Sequence, residues 1–99
     1  MIIIQTEDGA IIADPKEIYI DKDLDGHLHI YADLSGTDRV KAVKLTVFDY
    51  SKEDLGQMLE VVYKMMNGWS YMYGRHHYVI RMKEVVGMVK HAGLEASDD

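Results

Sequence analysis

The chain of 99 residues has no cysteine, one proline, one tryptophan and one phenylalanine. The lack of cysteine excludes disulfide bonds, thiolate metal sites and cysteine nucleophiles. No apolar run approaches the ~18 residues that a membrane-spanning helix needs. The polar residues after Met1-Ile2-Ile3-Ile4 do not form a signal-peptide pattern. We therefore expect a cytoplasmic protein with no membrane association.

The composition is otherwise that of a globular protein. Hydrophobic residues make up 47% of the chain and charged residues 28%, a balance that argues against disorder. We find no linker and no internal repeat. The sequence therefore predicts a single domain over residues 1–99, with the last five or six residues frayed.

The net charge of −6 is unevenly distributed. Residues 1–63 hold thirteen Asp and Glu against six Lys and Arg, whereas residues 64–91 hold five basic residues and one acidic residue. An acidic chain is a poor general binder of nucleic acid. Its acidic part is suited to a basic partner surface, and the basic segment 64–91 supports a second hypothesis, a small nucleic-acid-binding regulator.

Short β-rich runs bounded by turn residues fill the first half of the chain. They predict strands over residues 1–6, 10–13, 17–21, 27–34 and 39–50. A tight turn is expected at Glu7-Asp8-Gly9. Along 27–34 the alternation predicts a buried face with Leu28 and Ile30, and an exposed face with His27, His29 and Tyr31.

The strongest helical signal begins at Ser51. The sequence Ser51-Lys52-Glu53-Asp54 has the form of a capping box, and Asn67-Gly68 is typical of a helix end, which predicts a helix over 51–67. Residues 69–73 and 76–81 then resemble strands, and apolar spacing from Met82 predicts a second, short helix. Together these elements predict an α+β fold, an antiparallel meander of four to five strands packed against helix 51–67.

Two patterns raise the possibility of a metal site. Asp21, Asp23, Asp25 and Gly26 match the first half of a calcium-binding loop, but Ala32 stands where a bidentate glutamate is required. A hairpin turn rich in Asp and Gly explains the same residues. The five histidines offer ligands without a complete set at metal-binding spacing. A divalent-metal protein is therefore the weaker alternative, and we expect no cofactor.

No catalytic constellation stands out. The chain has no nucleophile elbow, no phosphate-binding glycine loop and no zinc-protease motif. A chain of this length also leaves little concave volume for a substrate. We therefore predict that the protein is not an enzyme.

Residues 69–78 concentrate the side chains that dominate protein interfaces, namely tryptophan, tyrosine and arginine. We predict that this segment contacts a partner, together with the acidic residues of 21–25. The predicted contact residues are Trp69, Tyr71, Tyr73, Arg75, His76, Tyr78, Asp21, Asp23 and Asp25. The alternative is that Trp69, Tyr71 and Tyr73 share one strand face and pack beneath helix 51–67.

Three segments resemble small accessory proteins of Gram-positive phages and other mobile elements. They are the opening Met1-Ile2-Ile3-Ile4-Gln5-Thr6-Glu7-Asp8-Gly9, the later Ile30-Tyr31-Ala32-Asp33, and the helix start Ser51-Lys52-Glu53-Asp54-Leu55. Some proteins of that kind inhibit host nucleases, including CRISPR effectors, by covering a binding surface. The resemblance implies a binder or inhibitor of the anti-CRISPR kind and transfers no functional residue.

These observations lead to one functional hypothesis. The chain is expected to be a small non-enzymatic binding module that regulates a larger protein by covering one of its surfaces. Its sharpest form is an inhibitor of a nucleic-acid enzyme, whose arginines and lysines the acidic residues would occupy. A homodimer is compatible with every version of this hypothesis.

Overall fold

The computed structural model describes residues 2–34, 42–73 and 78–97, and for residues 68–73, 78 and 91–97 it describes the backbone alone. It confirms the predicted α+β class, with a main helix and a C-terminal helix. The elements in chain order are β1 (Ile2–Gln5), β2 (Ile11–Ala13), β3 (Glu17–Lys22), β4 (Leu28–Asp33), β5 (Val43–Lys44), α1 (Lys52–Tyr73), β6 (Tyr78–Arg81) and α2 (Met82–Ser97).

The described strands form two three-stranded sheets, where the sequence predicted one meander. The first sheet has the order β2-β1-β6, in which β1 is antiparallel to β2 and parallel to β6. The second sheet has the order β3-β4-β5 and is antiparallel throughout. Pairing of β1 with the distant β6 separates the two sheets, and local alternation carries no signal for such a pairing.

Both sheets and both helices contribute to one apolar core. Helix α1 contacts β3, β4, β6 and α2, and α2 also contacts β6. The buried apolar side chains are Ile4, Ile12, Ile18, Ile30, Ala32, Leu45, Leu55, Met58, Val62, Ile80, Met82, Val85, Val86 and Val89. Burial of these side chains is the main favourable term for folding.

The predicted start of α1 is confirmed, and its predicted end is wrong. The Ser51 hydroxyl accepts a hydrogen bond from the Asp54 amide at 3.1 Å, as an N-cap does. The helix continues past Gly68 to Tyr73, because the three-to-four spacing that reaches Met66 persists at 69 and 73. Helix α2 begins at Met82 as predicted and extends to Ser97.

The long strand predicted over 39–50 is also wrong within the described residues. Strand β5 has only two residues, and residues 45–50 leave the sheet as an irregular connection, here called the bridging segment. The Leu45 amide donates to Ile30 O at 2.7 Å, and Leu45 O accepts from the Glu7 amide at 2.9 Å. The bridging segment therefore links β4 of the second sheet to the β1–β2 turn of the first.

The side chain of Glu7 completes this link. It is buried, and its Oε1 accepts from the amides of Val47 at 2.7 Å and Phe48 at 3.3 Å. Its Oε2 accepts from the Tyr50 hydroxyl. Burial, with the hydrogen bond and charge of Glu7, raises the pKa of Tyr50 above its ordinary value. The Lys90 ammonium lies 5.1 Å from the centre of the Tyr50 ring, which ties α2 to the same contact.

We expect Glu7→Ala to lower the free energy of unfolding by about 2–4 kcal/mol, because it leaves three donors without their acceptor. Glu7→Gln keeps one oxygen and should cost less. Glu60→Ala, at an exposed position paired only with Lys64, is the matched control and should change stability by less than about 0.5 kcal/mol. Urea unfolding measures all three. Equal stability of Glu7→Ala and Glu60→Ala would contradict the role of Glu7.

Candidate functional site

The outer face of the second sheet carries two stacked tyrosines. Strands β3 and β4 pair with Tyr19 opposite Tyr31, and the two rings lie 5.9 Å apart between centroids with an interplanar angle of 18°. Ile18 and Ile30 point to the opposite face, where they enter the core. The strand alternation therefore separates an apolar inner face from an aromatic outer face.

The turn that joins β3 to β4 is held by the carboxylate of Asp23. Asp23 Oδ1 accepts from the amides of Asp25 and His27, each at 2.9 Å. The Asp23 amide donates to His27 O at 2.8 Å, and Gly26 adopts a φ of 86° that favours glycine. These bonds confirm that the Asp- and Gly-rich motif forms a hairpin turn.

The second oxygen of Asp23 faces the sheet. Asp23 Oδ2 lies 3.2 Å from His29 Nε2 and 3.5 Å from Lys44 Nζ. Burial alone would raise the pKa of Asp23, but the two backbone amides, Lys44 and His27 stabilise the carboxylate and lower that pKa below its ordinary value. Asp23 therefore holds the turn, with 15% of its side chain exposed.

A shallow cleft of about 680 Å³ lies over this face. Burial raises the pKa of Tyr31, with Lys44 acting in the opposite direction and Asp23 and Asp21 adding to the rise. The hydroxyl of Tyr31 thus lies in a field set by both acidic and basic groups. The residues that line the cleft are Tyr19, Asp21, Lys22, Asp23, Leu24, Asp25, Tyr31, Ala42 and Lys44.

The predicted exposure of His29 is wrong. Its side chain is only 3% exposed, because Asp23 and Thr46 cover the two ring nitrogens. His29 Nδ1 lies 3.2 Å from Thr46 Oγ1. His27 is exposed as predicted, and its Nδ1 lies 3.1 Å from Asp49 Oδ1.

Asp23, His29 and Thr46 form a carboxylate–imidazole–hydroxyl chain of the kind found in hydrolases. Thr46 is fully buried, and its Oγ1 also accepts from the Ile30 amide at 3.2 Å. A hydroxyl in that position cannot reach a substrate. These three hydrogen-bonded side chains anchor the β3–β4 turn to β4 and to the bridging segment.

Those predicted contact residues that the structure describes lie in different parts of the fold. Asp21 and Asp25 are exposed, Asp23 is half-buried, and all three line the cleft. The strand predicted over 69–73 is wrong, because Trp69, Tyr71 and Tyr73 belong to α1. The alternation that grouped these three on one strand face therefore does not apply.

The remaining predicted contact residues are Arg75, His76 and Tyr78. Arg75 and His76 lie outside the described residues, and Tyr78 is the first residue of β6. Sequence analysis missed Tyr19 and Tyr31 as a pair. Their alternation was visible, but the register that brings them opposite each other was not.

Part of the basic segment is engaged within the chain. Lys64 Nζ lies 3.2 Å from Glu60 Oε1, and Arg81 Nη1 lies 3.7 Å from Glu84 Oε1. Lys90 lies over the Tyr50 ring, so each of these three described basic residues has a neighbour of opposite charge or an aromatic ring. The candidate site is the outer face of the second sheet, where the cleft and the stacked tyrosines lie.

Comparison with protein-family models, with curated proteins and with solved structures finds no match. Among the described residues, no group of three or more His, Asp or Glu side chains is arranged to hold a metal ion. Within the same residues no helix combines the length and apolarity that crossing a membrane requires.

We expect Asp23→Ala to accelerate amide exchange at Asp25 and His27 several-fold, because both amides lose their acceptor. Asp23→Asn keeps an acceptor oxygen and should retain most of the protection. Asp25→Asn, at an exposed position, is the control. Unchanged exchange in Asp23→Ala would show that the backbone alone fixes the turn.

The lowered pKa of Asp23 also predicts acid sensitivity. Its stabilising effect is present above the unfolded value of 3.8 and is lost as the pH falls through the lower folded value. The stability difference between wild type and Asp23→Asn, measured by urea unfolding, should therefore shrink as the pH is lowered below that range. A constant difference would contradict the ionic role of Asp23.

Proposed function

We propose that this chain is a small non-enzymatic binding module that contacts a basic surface of a larger protein through the outer face of its second sheet. The observation that carries the proposal is the fixed hairpin turn beside the stacked tyrosines, which presents exposed acidic side chains next to an aromatic platform.

The charge of the face suits a basic partner. Asp21 and Asp25 are exposed on either side of the half-buried Asp23, and Leu24 between them is fully exposed at the tip of the turn. Because the turn is fixed before binding, little ordering entropy opposes contact at these positions. Carboxylates on the rim of an interface direct association with a positively charged surface.

The tyrosines supply contact area. Tyrosine buries a large amphipathic surface and has few rotatable bonds, which is why it is frequent among the residues that dominate binding energy. The face of an aromatic ring also attracts arginine and lysine side chains. Tyr19 and Tyr31 replace the segment 69–78 as the proposed anchor, since their geometry is described and that of Arg75 and His76 is not.

The most specific version of the proposal is an inhibitor of a nucleic-acid enzyme, such as a CRISPR effector. Exposed carboxylates on a fixed turn can occupy the arginines and lysines that otherwise bind phosphate. The resemblance to accessory proteins of phages and mobile elements supports this version. Homodimerisation belongs to the same proposal, and a purified protein that sediments as an 11.3 kDa monomer at every concentration would contradict that part.

The test is affinity capture from nuclease-treated lysate of the source cells, read by mass spectrometry. We expect a stoichiometric protein partner whose affinity falls at least about tenfold (about 1.4 kcal/mol) with the double variant Leu24→Ser/Asp25→Lys. Both positions are exposed, so the fold should be preserved, which a thermal melt verifies. Glu60→Lys makes the same acid-to-lysine change on the exposed side of α1 and should bind as the wild type does.

Two outcomes would overturn the proposal. The first is a partner that the wild type and the double variant retain equally, which would move the interface away from the turn. The second is recovery of nucleic acid alone, and only when nuclease is omitted. Binding that then weakens steeply with salt would favour the regulator hypothesis and the basic segment 64–91.

A further inference from the structure

A buried histidine lies directly beneath the acidic turn. The imidazole of His29 is 3% exposed and contacts a different element through each ring nitrogen. Its Nε2 lies 3.2 Å from Asp23 Oδ2, and its Nδ1 lies 3.2 Å from Thr46 Oγ1. The ring therefore connects the turn at one edge to the bridging segment at the other.

One protonation state of His29 pairs every donor and acceptor in the hydrogen-bonded series Asp23–His29–Thr46. Nε2–H donates to the Asp23 carboxylate, which can only accept while it is ionised. Thr46 Oγ1 already accepts from the Ile30 amide, so its hydroxyl hydrogen is available to donate to an unprotonated Nδ1. The neutral Nε2–H tautomer thus leaves no donor or acceptor between these three side chains unpaired.

A second proton on the ring breaks this pattern at one end only. With Nδ1 protonated, Thr46 Oγ1 faces two N–H donors, and its own hydroxyl hydrogen loses its acceptor in a fully buried position. At the other end the imidazolium attracts the Asp23 carboxylate. Asp21, opposite His29 in the strand register, adds to that attraction, and Lys44, which shares Asp23 Oδ2, opposes it.

The charge of the binding face changes as well. A positive imidazolium beside Asp23 offsets a negative charge at the base of the turn that presents Asp25. Histidine is the side chain whose charge ordinarily changes between about pH 5 and pH 8. Protonation at His29 therefore couples the charge beneath the turn to the attachment of the bridging segment.

We infer that His29 makes the acidic face proton-sensitive, so that acidification weakens the hold of this face on a basic partner. The inference rests on the proposed function, since it concerns regulation of the same face. By linkage, a basic partner that binds this face disfavours protonation of His29 to the same degree. The structural part of the inference needs no partner and is tested first.

The first measurement is a pH titration by NMR between about pH 8 and pH 5, the range in which histidine titrates, in a His27→Gln background that removes the neighbouring imidazole. We expect the ring nitrogens of His29 to report the Nε2–H tautomer at the upper limit and imidazolium at the lower limit. The amides of Asp25 and Ile30 should shift along the same curve. His29→Gln should abolish these amide shifts.

The inference is overturned if the ring stays neutral across this range, if it titrates while those amides do not move, or if the amide shifts persist in His29→Gln. The ring-nitrogen measurement is made with His29 present, so it decides the question even where His29→Gln fails to fold.

The second measurement uses an oligo-arginine peptide as the probe for a basic surface. We expect its affinity to fall at least about threefold from pH 8 to pH 5 with His29 present, and to change less in His29→Gln. Equal affinity at both limits overturns the proton sensitivity and leaves the proposed function standing. Lack of binding at either limit contradicts the proposed function, and with it the regulation of that face.

Discussion

The arrangement of the two sheets depends on the buried carboxylate of Glu7, because this side chain binds the bridging segment to the β1–β2 turn. Among the strands that the structure describes, none pairs across the two sheets, so the relative position of the sheets rests on the common core and on these hydrogen bonds. A buried carboxylate is stable only when donors compensate its lost hydration. Two amides and the Tyr50 hydroxyl provide that compensation. The same contact sets the course of the chain that leads to the Ser51 cap and so to the start of α1.

Four of the described acidic residues illustrate two classes with different roles. Glu7 and Asp23 accept hydrogen bonds from backbone amides and determine how loops are held. Asp21 and Asp25 are exposed and give the outer face its charge. The first class supports the second, because a turn fixed by hydrogen bonds holds its exposed charges in one geometry. A count of acidic residues in the sequence cannot separate these classes, because the difference is burial.

The hydrogen-bonded series Asp23–His29–Thr46 has a structural role. Its order matches that of a hydrolase triad, but the hydroxyl is buried and accepts from the Ile30 amide. These hydrogen bonds connect the turn, β4 and the bridging segment through one titratable ring. That connection is the basis for proposing regulation by protons at a face whose function we propose to be binding.

Local chemistry in the sequence determined the α+β class, the turn at Glu7-Asp8-Gly9, the hairpin around Asp23, the cap at Ser51 and the start of the second helix. Each depends on residues within a few positions of one another, so spacing and residue type are sufficient to predict it. Only the tertiary structure decided the division into two sheets, the burial of His29 and the pairing of Tyr19 with Tyr31. These features depend on contacts between residues far apart in the chain, such as Glu7 with Tyr50 and β1 with β6. The period of a single segment shows which faces are apolar, but it does not show what covers them.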